Sequence, residues 1–284
     1  MQKIIAVIDS SVYATSVCDH AAWLAKRINA SVELVHVISR DIDPAHNQHL
    51  IGSIGLCART VLLEELSELD KQRATLAKSY GRALLSDAKT HMEAAGVTDV
   101  TTRLRHDELS AAVSELESDA DVVVIGKRGN SANFATLHIG PNLERVARTS
   151  EKPLFVASRG FKDIQRVLIA FDGGRSVARA IDMLTSTTAY QGLEIELLAV
   201  GLTPDAMKKR LTDAETRLRD ACYAVTSKEV SGIAEEVIAK EVNEQQFDLL
   251  LMGAYGHSRI RNLLIGSTTT EMLRLCQIPV VLFR

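Results

Sequence analysis

The sequence predicts an α/β protein built from two tandem copies of a doubly wound, five-stranded parallel sheet domain, packed together as a pseudo-dimer. Short continuous runs of aliphatic residues alternate with helical patterns, and the same series of segments occurs twice along the chain. Continuous apolar runs are typical of strands that helices cover on both faces, which is the setting of a parallel sheet. The order βαβαβαβαβ in each copy is that of a doubly wound domain.

The repeat is first seen in the first strand and first helix of the two copies. Lys3–Asp9 reads KIIAVID and Arg166–Asp172 reads RVLIAFD, so each apolar run ends in aspartate. Small residues follow, and then a helical pattern over Ala14–Ile28 in the first copy and Val177–Ala189 in the second.

The later strands correspond as well. The second strand is predicted at Val32–Ile38 and Leu193–Val200, and the last at Pro153–Ala157 and Pro279–Phe283. The segment Asp121–Gly129 matches Asp248–Gly256, in which the fourth strand is predicted at Asp248–Met252. The numbering offset falls from 163 at the first strand (9 against 172) to 127 at the fourth (121 against 248), so the first copy has 36 extra residues. They fall around Ser39–Tyr80 and lead into an amphipathic pattern over Val61–Ala95, which is either a helix packed on the sheet or a partner-binding or dimerisation element.

The two predicted domains are residues 1–159 and 164–284. The boundary lies in the polar join Ser158–Asp163. A join this short gives two domains little reach, so we expect them to dock against each other.

Composition narrows the function classes. The chain has 284 residues, of which 46% are hydrophobic and 24% charged, with a net charge of −3. These values are typical of a soluble globular protein and disfavour nucleic acid or an anionic membrane surface as a partner. There is no apolar run of the roughly 18–20 residues that span a bilayer, and no signal-peptide pattern. The four cysteines lack metal-ligand spacing, so we expect reduced thiols and a cytoplasmic protein.

A glycine-rich stretch follows the fourth strand of the second copy. Gly253 and Gly256 are followed, after nine residues, by Gly266-Ser267-Thr268 at the start of a predicted helix. Ligands of open parallel sheets bind beyond the carboxyl ends of the strands, and a helix start suits phosphate. The alternative is a capping box, with Thr268 as N-cap and Glu271 at the third helical position. Spacing alone leaves both interpretations open.

This stretch resembles the G-2x-G-9x-G-[S/T] signature of the universal stress protein family. The resemblance covers essentially the whole chain as two tandem copies, and it includes the aspartate of the first strand and the proline before the last strand.

The resemblance implies that the second copy binds an adenine nucleotide, ATP with Mg²⁺, and that two chains form a homodimer. Asp172 matches the family's aspartate near the nucleoside, although an N-cap role is its common alternative. Val200 matches the position whose backbone recognises adenine. The positions that match phosphate contacts are Gly253, Gly256, Gly266, Ser267 and Thr268.

The first copy departs from the signature. It reads Gly126-Lys127-Arg128-Gly129, then ten residues, then Gly140-Pro141-Asn142, so the spacing is one residue too long. Pro141 also removes a backbone N–H where phosphate would be held, although proline suits the first turn of a helix. We therefore expect a degenerate nucleotide loop that binds nucleotide poorly or not at all, with Lys127 and Arg128 leaving a different anionic ligand open.

Catalysis and metal binding have little support. The chain has no P-loop, and no residue is an obvious general base; His257 is the only imidazole in the loop, so any ATP hydrolysis is expected to be slow. Arg259 and Arg261 either neutralise phosphate or are solvated. We predict no metal site, since the remaining candidate histidines lack ligand spacing (His36, His46, His49, His106 and His138). Cys276 is predicted to lie in the core.

The sequence thus predicts a nucleotide-dependent sensor or regulator of the stress response with ATP in its C-terminal domain. The alternative is an interaction scaffold of the same fold that uses no nucleotide.

Overall fold

A computed structural model describes residues 2–39, 56–129, 139–201, 204–254 and 266–284, of which residues 56–63 are described by their backbone alone. The N-terminal half contains β1 (Lys3–Val7), α1 (Ala14–Ile28), β2 (Ser31–Ile38), α2 (Leu56–Ala94), β3 (Val100–His106), α3 (Leu109–Leu116), a 3₁₀ turn (Glu117–Asp119), β4 (Val122–Gly126), α4 (Pro141–Thr149) and β5 (Leu154–Ala157). The C-terminal half contains β6 (Arg166–Ala170), α5 (Arg175–Ser186), β7 (Glu194–Val200), α6 (Asp205–Asp220), β8 (Ala224–Val230), α7 (Ala234–Glu244), β9 (Leu249–Gly253), α8 (Ser267–Leu275) and β10 (Val280–Phe283).

The ten strands found in the described ranges form one sheet in the order β3-β2-β1-β4-β5-β10-β9-β6-β7-β8. Every neighbouring pair is parallel except β5 and β10, which pair antiparallel with Val281 opposite Phe155. The last strands of the two halves therefore join edge to edge, and each half repeats the same order outward from that join.

This architecture confirms the predicted fold class of two doubly wound copies. The helix predicted over Ala14–Ile28 has those bounds, and the second copy's first helix begins at Arg175, two residues before the predicted start. Continuity of the sheet across the halves was not predicted, because the apolar pattern of a last strand is the same whether its outer edge is free or paired.

Helices cover both faces of the sheet, as the continuous apolar strands predicted. One core lies beneath α1, α2, α5 and α6, with Val17, Leu85, Val177 and Leu211 among its members. The other lies beneath α3, α4, α7 and α8. Alternate residues of the central strands enter one core or the other, so these strands are buried on both sides.

Helix α2 accounts for part of the extra length of the first copy. It has 39 residues, against 16 in α6, its counterpart in the second copy. Among its residues whose burial is described, which begin at Glu64, the first buried one is Gly81.

No helix in the ranges covered by the structure has the combination of length and apolar character needed to cross a membrane.

Candidate functional site

The candidate site lies where the strand order of the C-terminal half reverses. Strands β6 and β9 are neighbours, but the strand that follows β6 in the chain, β7, lies on one side of the pair, and the strand that follows β9, β10, lies on the other. Asp172 follows the carboxyl end of β6, and Gly253 is the last residue of the adjacent β9. Parallel sheets of this kind bind ligands in the crevice at such a reversal.

Asp172 organises the turn between β6 and α5. Its Oδ1 accepts a hydrogen bond from the backbone N–H of Gly174 at 2.8 Å. Gly174, not Asp172, is the N-cap residue of α5, so the N-cap alternative for Asp172 is wrong. A Cβ on Gly174 would lie 3.0 Å from both Asp172 oxygens, so glycine keeps room around the carboxylate. The N-terminal half repeats the turn, with Asp9 Oδ1 accepting from the Ser11 N–H at 3.0 Å.

Helix α8 begins at the signature glycine. Gly266 is the N-cap residue and Ser267 the first helical residue, and no side chain of the described residues caps this end. The capping-box alternative is therefore wrong, since Thr268 already lies inside the helix and the Glu271 carboxylate pairs with Arg274. A helix start without a side-chain cap leaves backbone N–H groups available to an anion.

The threonine hydroxyls make tertiary contacts instead of capping their own helix. Thr269 is buried and its Oγ1 donates to the carbonyl oxygen of Gly253 at 2.9 Å. Thr268 Oγ1 donates to Glu235 of α7 at 3.4 Å. The Gly266 N–H also donates to the Ala254 carbonyl oxygen at 3.1 Å, so the start of α8 is fastened to the end of β9.

The sequence prediction missed Thr269 and Glu235 as supports of this site. The run Ser-Thr-Thr-Thr was the available signal, but only the fold shows which hydroxyl faces the sheet. Val200, the predicted adenine position, is the last residue of β7 and is half-buried opposite Val230 of β8. The predicted phosphate residue Gly256 lies outside the described residues, as do three other loop residues (His257, Arg259 and Arg261).

The N-terminal counterpart has the predicted helix start. Helix α4 begins at Pro141, with Gly140 as its N-cap residue. Proline is thus at the first helical position, where its missing N–H disturbs no helical hydrogen bond. In this half, Arg145 of α4 lies 3.6 Å from Glu108, and both line a cleft that also contains Asp9 and Gly129. Its chemistry therefore differs from that of the other half, where Glu271 and Ile233 occupy the corresponding helix positions.

Lys127 does not extend toward an anion in the N-terminal half. It is only 8% exposed, and its Nζ donates to the carbonyl oxygen of Cys276 in the other half. Burial lowers the pKa of Lys127 to about 8. Cys276 is buried, as predicted, and burial raises the pKa of its thiol to about 11.

Within the ranges that the structure covers, no group of three or more histidine, cysteine or carboxylate residues is placed to hold a metal ion. His36 is half-buried, with Nδ1 at 2.7 Å from the Ile8 carbonyl oxygen, and His106 is exposed. His46, His49 and His138 lie outside the described residues.

Comparison with known proteins agrees with this architecture. The profile of the universal stress protein family matches residues 1–158 and 163–284. Universal stress protein Slr1230 of Synechocystis is 35% identical over 288 residues, covering 100% of both chains.

Solved structures share the fold over the whole chain. A universal stress protein from Archaeoglobus fulgidus matches with a TM-score of 0.74 at 16% identity, covering 99% of this chain and 98% of its own. A protein described as a putative universal stress protein from Pseudomonas aeruginosa matches with a TM-score of 0.60 at 14% identity, covering 100% of this chain and 93% of its own.

Proposed function

The chain belongs to the universal stress protein family, and from this premise we propose that it is a nucleotide-dependent regulator that binds ATP in its C-terminal half. The observation that carries the proposal is the start of α8, where Gly266, Ser267 and Thr268 follow one another without a side-chain cap, beside the end of β9. The Thr268 and Thr269 hydroxyls contact neighbouring elements, so neither occupies the N–H groups of the first turn.

The proposed binding mode assigns one part of the nucleotide to each element. The first-turn N–H groups of α8 and the Ser267 hydroxyl hold phosphate oxygens, and the positive end of the helix dipole favours their charge. Asp172 accepts hydrogen bonds from the ribose, and the backbone at Val200 recognises adenine. Gly253 and Gly256 let the backbone approach the phosphates closely. Mg²⁺ accompanies ATP, because phosphate oxygens and water supply most ligands of this ion in nucleotide sites.

In the N-terminal half, Pro141 occupies the position that corresponds to Ser267. Its lack of an N–H, together with the Glu108–Arg145 pair in the corresponding cleft, supports a stoichiometry of one ATP per chain. We keep the domains at 1–159 and 164–284. We also propose that two chains form a homodimer that works in the cytoplasm, a compartment that suits the free thiols of Cys18, Cys222 and Cys276.

The test is calorimetric titration of the nucleotide-stripped protein with ATP and Mg²⁺. We expect one ATP per chain, and loss of binding in Gly266→Asp, because the new carboxylate repels phosphate at the helix start. The matched control is Gly140→Asp, at the corresponding N-cap position of α4, where a Cβ meets its nearest neighbours at 3.4 Å. This control should bind ATP like the wild type.

The alternatives give different results. Two ATP per chain would show that Pro141 does not silence the N-terminal half. No binding by the stripped wild type would contradict the proposal and favour the nucleotide-independent scaffold. Equal loss in both glycine variants would point to a general defect in folding, which circular dichroism would detect.

A further inference from the structure

The N-terminal part of α2 extends beyond the domain that carries it. From residue 64 to residue 80, no side chain is buried. Buried positions then recur at helical spacing, at Gly81, Leu85, Ala88 and Met92. At Gly81 a Cβ would lie 2.7 Å from Leu104 Cδ1, so this is where the helix meets the sheet. The preceding part is a helix that its own domain leaves largely uncovered.

This uncovered part has an apolar stripe. Leu69 is 50% exposed, Leu76 71% and Tyr80 52%. Leu66 continues the stripe toward the N-terminus, and Arg73 interrupts it. At about 100° per residue, this stripe lies roughly a third of a turn away from the stripe that packs on the sheet. Packing of α2 on its own domain therefore cannot cover it.

Charge divides the same segment into two halves of opposite sign. Residues 64–70 contain acidic but no basic residues, and residues 71–82 contain basic but no acidic residues. The acidic set is Glu64, Glu65, Glu68 and Asp70, and the basic set is Lys71, Arg73, Lys78 and Arg82. Compensation of the helix dipole does not require this division, because that effect is confined to the first and last turns. The segment begins two turns inside a helix that starts at Leu56.

We propose that residues 64–82 of α2 are a docking surface for the same segment of a second copy of this chain, paired antiparallel. The inference rests on the homodimer of the proposed function and names its surface. Antiparallel pairing places the acidic half of each helix against the basic half of its partner, whereas parallel pairing would place like charges together. The charges thus select both the occupant and its direction.

The apolar stripe is consistent with the same register. A two-fold axis near Lys71 puts Leu66 opposite the partner's Leu76. It also puts Leu69 beside the partner's Arg73, whose guanidinium lies 4.0 Å from Asp70 within its own chain. Both the apolar and the charged residues are therefore complementary about one axis. About this axis, residues 64–78 of one helix lie along residues 64–78 of the other. This shared length of 15 residues is about 22 Å, so we expect a reversible, concentration-dependent dimer.

The experiment is sedimentation velocity on the full chain over a range of concentrations. One variant reverses the acidic half (Glu65→Lys, Glu68→Lys, Asp70→Lys), and a second reverses the basic half (Lys71→Glu, Arg73→Glu, Lys78→Glu). Each variant alone should be monomeric at concentrations where the wild type is dimeric, because both halves then carry one sign. An equimolar mixture of the two should restore a dimer containing one chain of each.

The control swaps the ion pair Lys89–Glu93, which lies on the same helix beyond the segment at 3.7 Å. Lys89→Glu with Glu93→Lys should leave the dimer intact. A wild type that stays monomeric would contradict the homodimer itself. A dimeric wild type whose two variants also remain dimeric would overturn only the proposed surface, as would a mixture that fails to associate. ATP titration of the same samples reports separately on the nucleotide site.

Discussion

The ammonium group of Lys127, in the N-terminal half, donates a hydrogen bond to the carbonyl oxygen of Cys276, the C-cap residue of α8 in the C-terminal half. The N-terminal half therefore contacts the C-terminal end of the helix whose N-terminal end is the proposed phosphate site. A cation at the C-terminal end of a helix is favourable toward its dipole. The link has no counterpart in the other direction, since the residue equivalent to Lys127 is Ala254.

Lys127 should make the free energy of unfolding depend on pH in the alkaline range. Burial lowers its pKa from 10.5 to about 8, so between these values the unfolded chain binds more protons than the folded one. The free energy of unfolding of the wild type should therefore rise from pH 8 to pH 10.5 relative to Lys127→Met, by up to roughly 3 kcal/mol. Urea unfolding of both proteins across this range measures the difference.

Comparison with the variant is needed because the raised pKa of Cys276 acts in the opposite direction, in both proteins. Exposed Lys26 provides a control, and Lys26→Met should give a curve parallel to that of the wild type. If the curve of Lys127→Met is also parallel to that of the wild type, the buried ammonium of Lys127 does not contribute to the pH dependence of stability, contrary to what its environment indicates.

His20 should make the protein sensitive to acid. Its ring is fully buried against Phe155 and Phe161, with Nδ1 at 2.6 Å from the Ser16 carbonyl oxygen. Among the residues that the structure describes, none is a hydrogen-bond partner of Nε2, and burial lowers the pKa of the ring below 6.5. As the pH falls through about 6.5, the unfolded chain takes up a proton that the folded chain resists, so stability should fall.

The measurement is the free energy of unfolding at pH 7, 6 and 5 for the wild type and His20→Asn. An asparagine N–H can still reach the Ser16 carbonyl oxygen but does not titrate in this range. The variant will be less stable overall, so the comparison is between slopes. The loss of stability on acidification should be smaller in His20→Asn, and equal slopes would assign the acid sensitivity to other groups.

Thr269 should support the proposed site without touching the ligand. Thr269→Val keeps the shape but leaves the Gly253 carbonyl oxygen without its 2.9 Å hydrogen bond. We expect a loss of about 1–2 kcal/mol in stability, together with weaker ATP binding, because the start of α8 is no longer fastened to β9. Thr269→Ser retains the hydroxyl and should bind ATP like the wild type. Thermal unfolding and calorimetry on both variants test this. Unchanged ATP affinity in Thr269→Val would show that the contact is structural and does not support binding.

The sequence was sufficient for the features that local patterns determine. The first strand of each copy lies within the predicted run, although it ends two residues before Asp9 or Asp172, and Pro141 lies in the first turn of α4 as expected. Contacts between distant elements were missed. In the sequence Lys127 is a cation in a loop, and only the fold brings it into contact with Cys276. The threonine run likewise fits a capping box, and only the fold shows that Thr269 contacts Gly253. Such contacts depend on how separate elements pack against each other, which spacing does not encode.

Asp172 should affect nucleotide affinity through the charge of its carboxylate and not through the hydrogen bond by which it holds the turn before α5. An asparagine oxygen can accept the 2.8 Å hydrogen bond from the Gly174 N–H, so Asp172→Asn should unfold at the wild-type temperature. A hydrogen bond from a ribose hydroxyl to a carboxylate is stronger than one to an amide, and we expect affinity for ATP to fall about tenfold, or roughly 1.4 kcal/mol. Asp9→Asn, in the matching turn of the N-terminal half, is the control and should change neither property. Calorimetry on both variants separates the outcomes: unchanged affinity in Asp172→Asn would remove the carboxylate from the proposed site, and weakened binding in Asp9→Asn would assign nucleotide contacts to the half that Pro141 is proposed to silence.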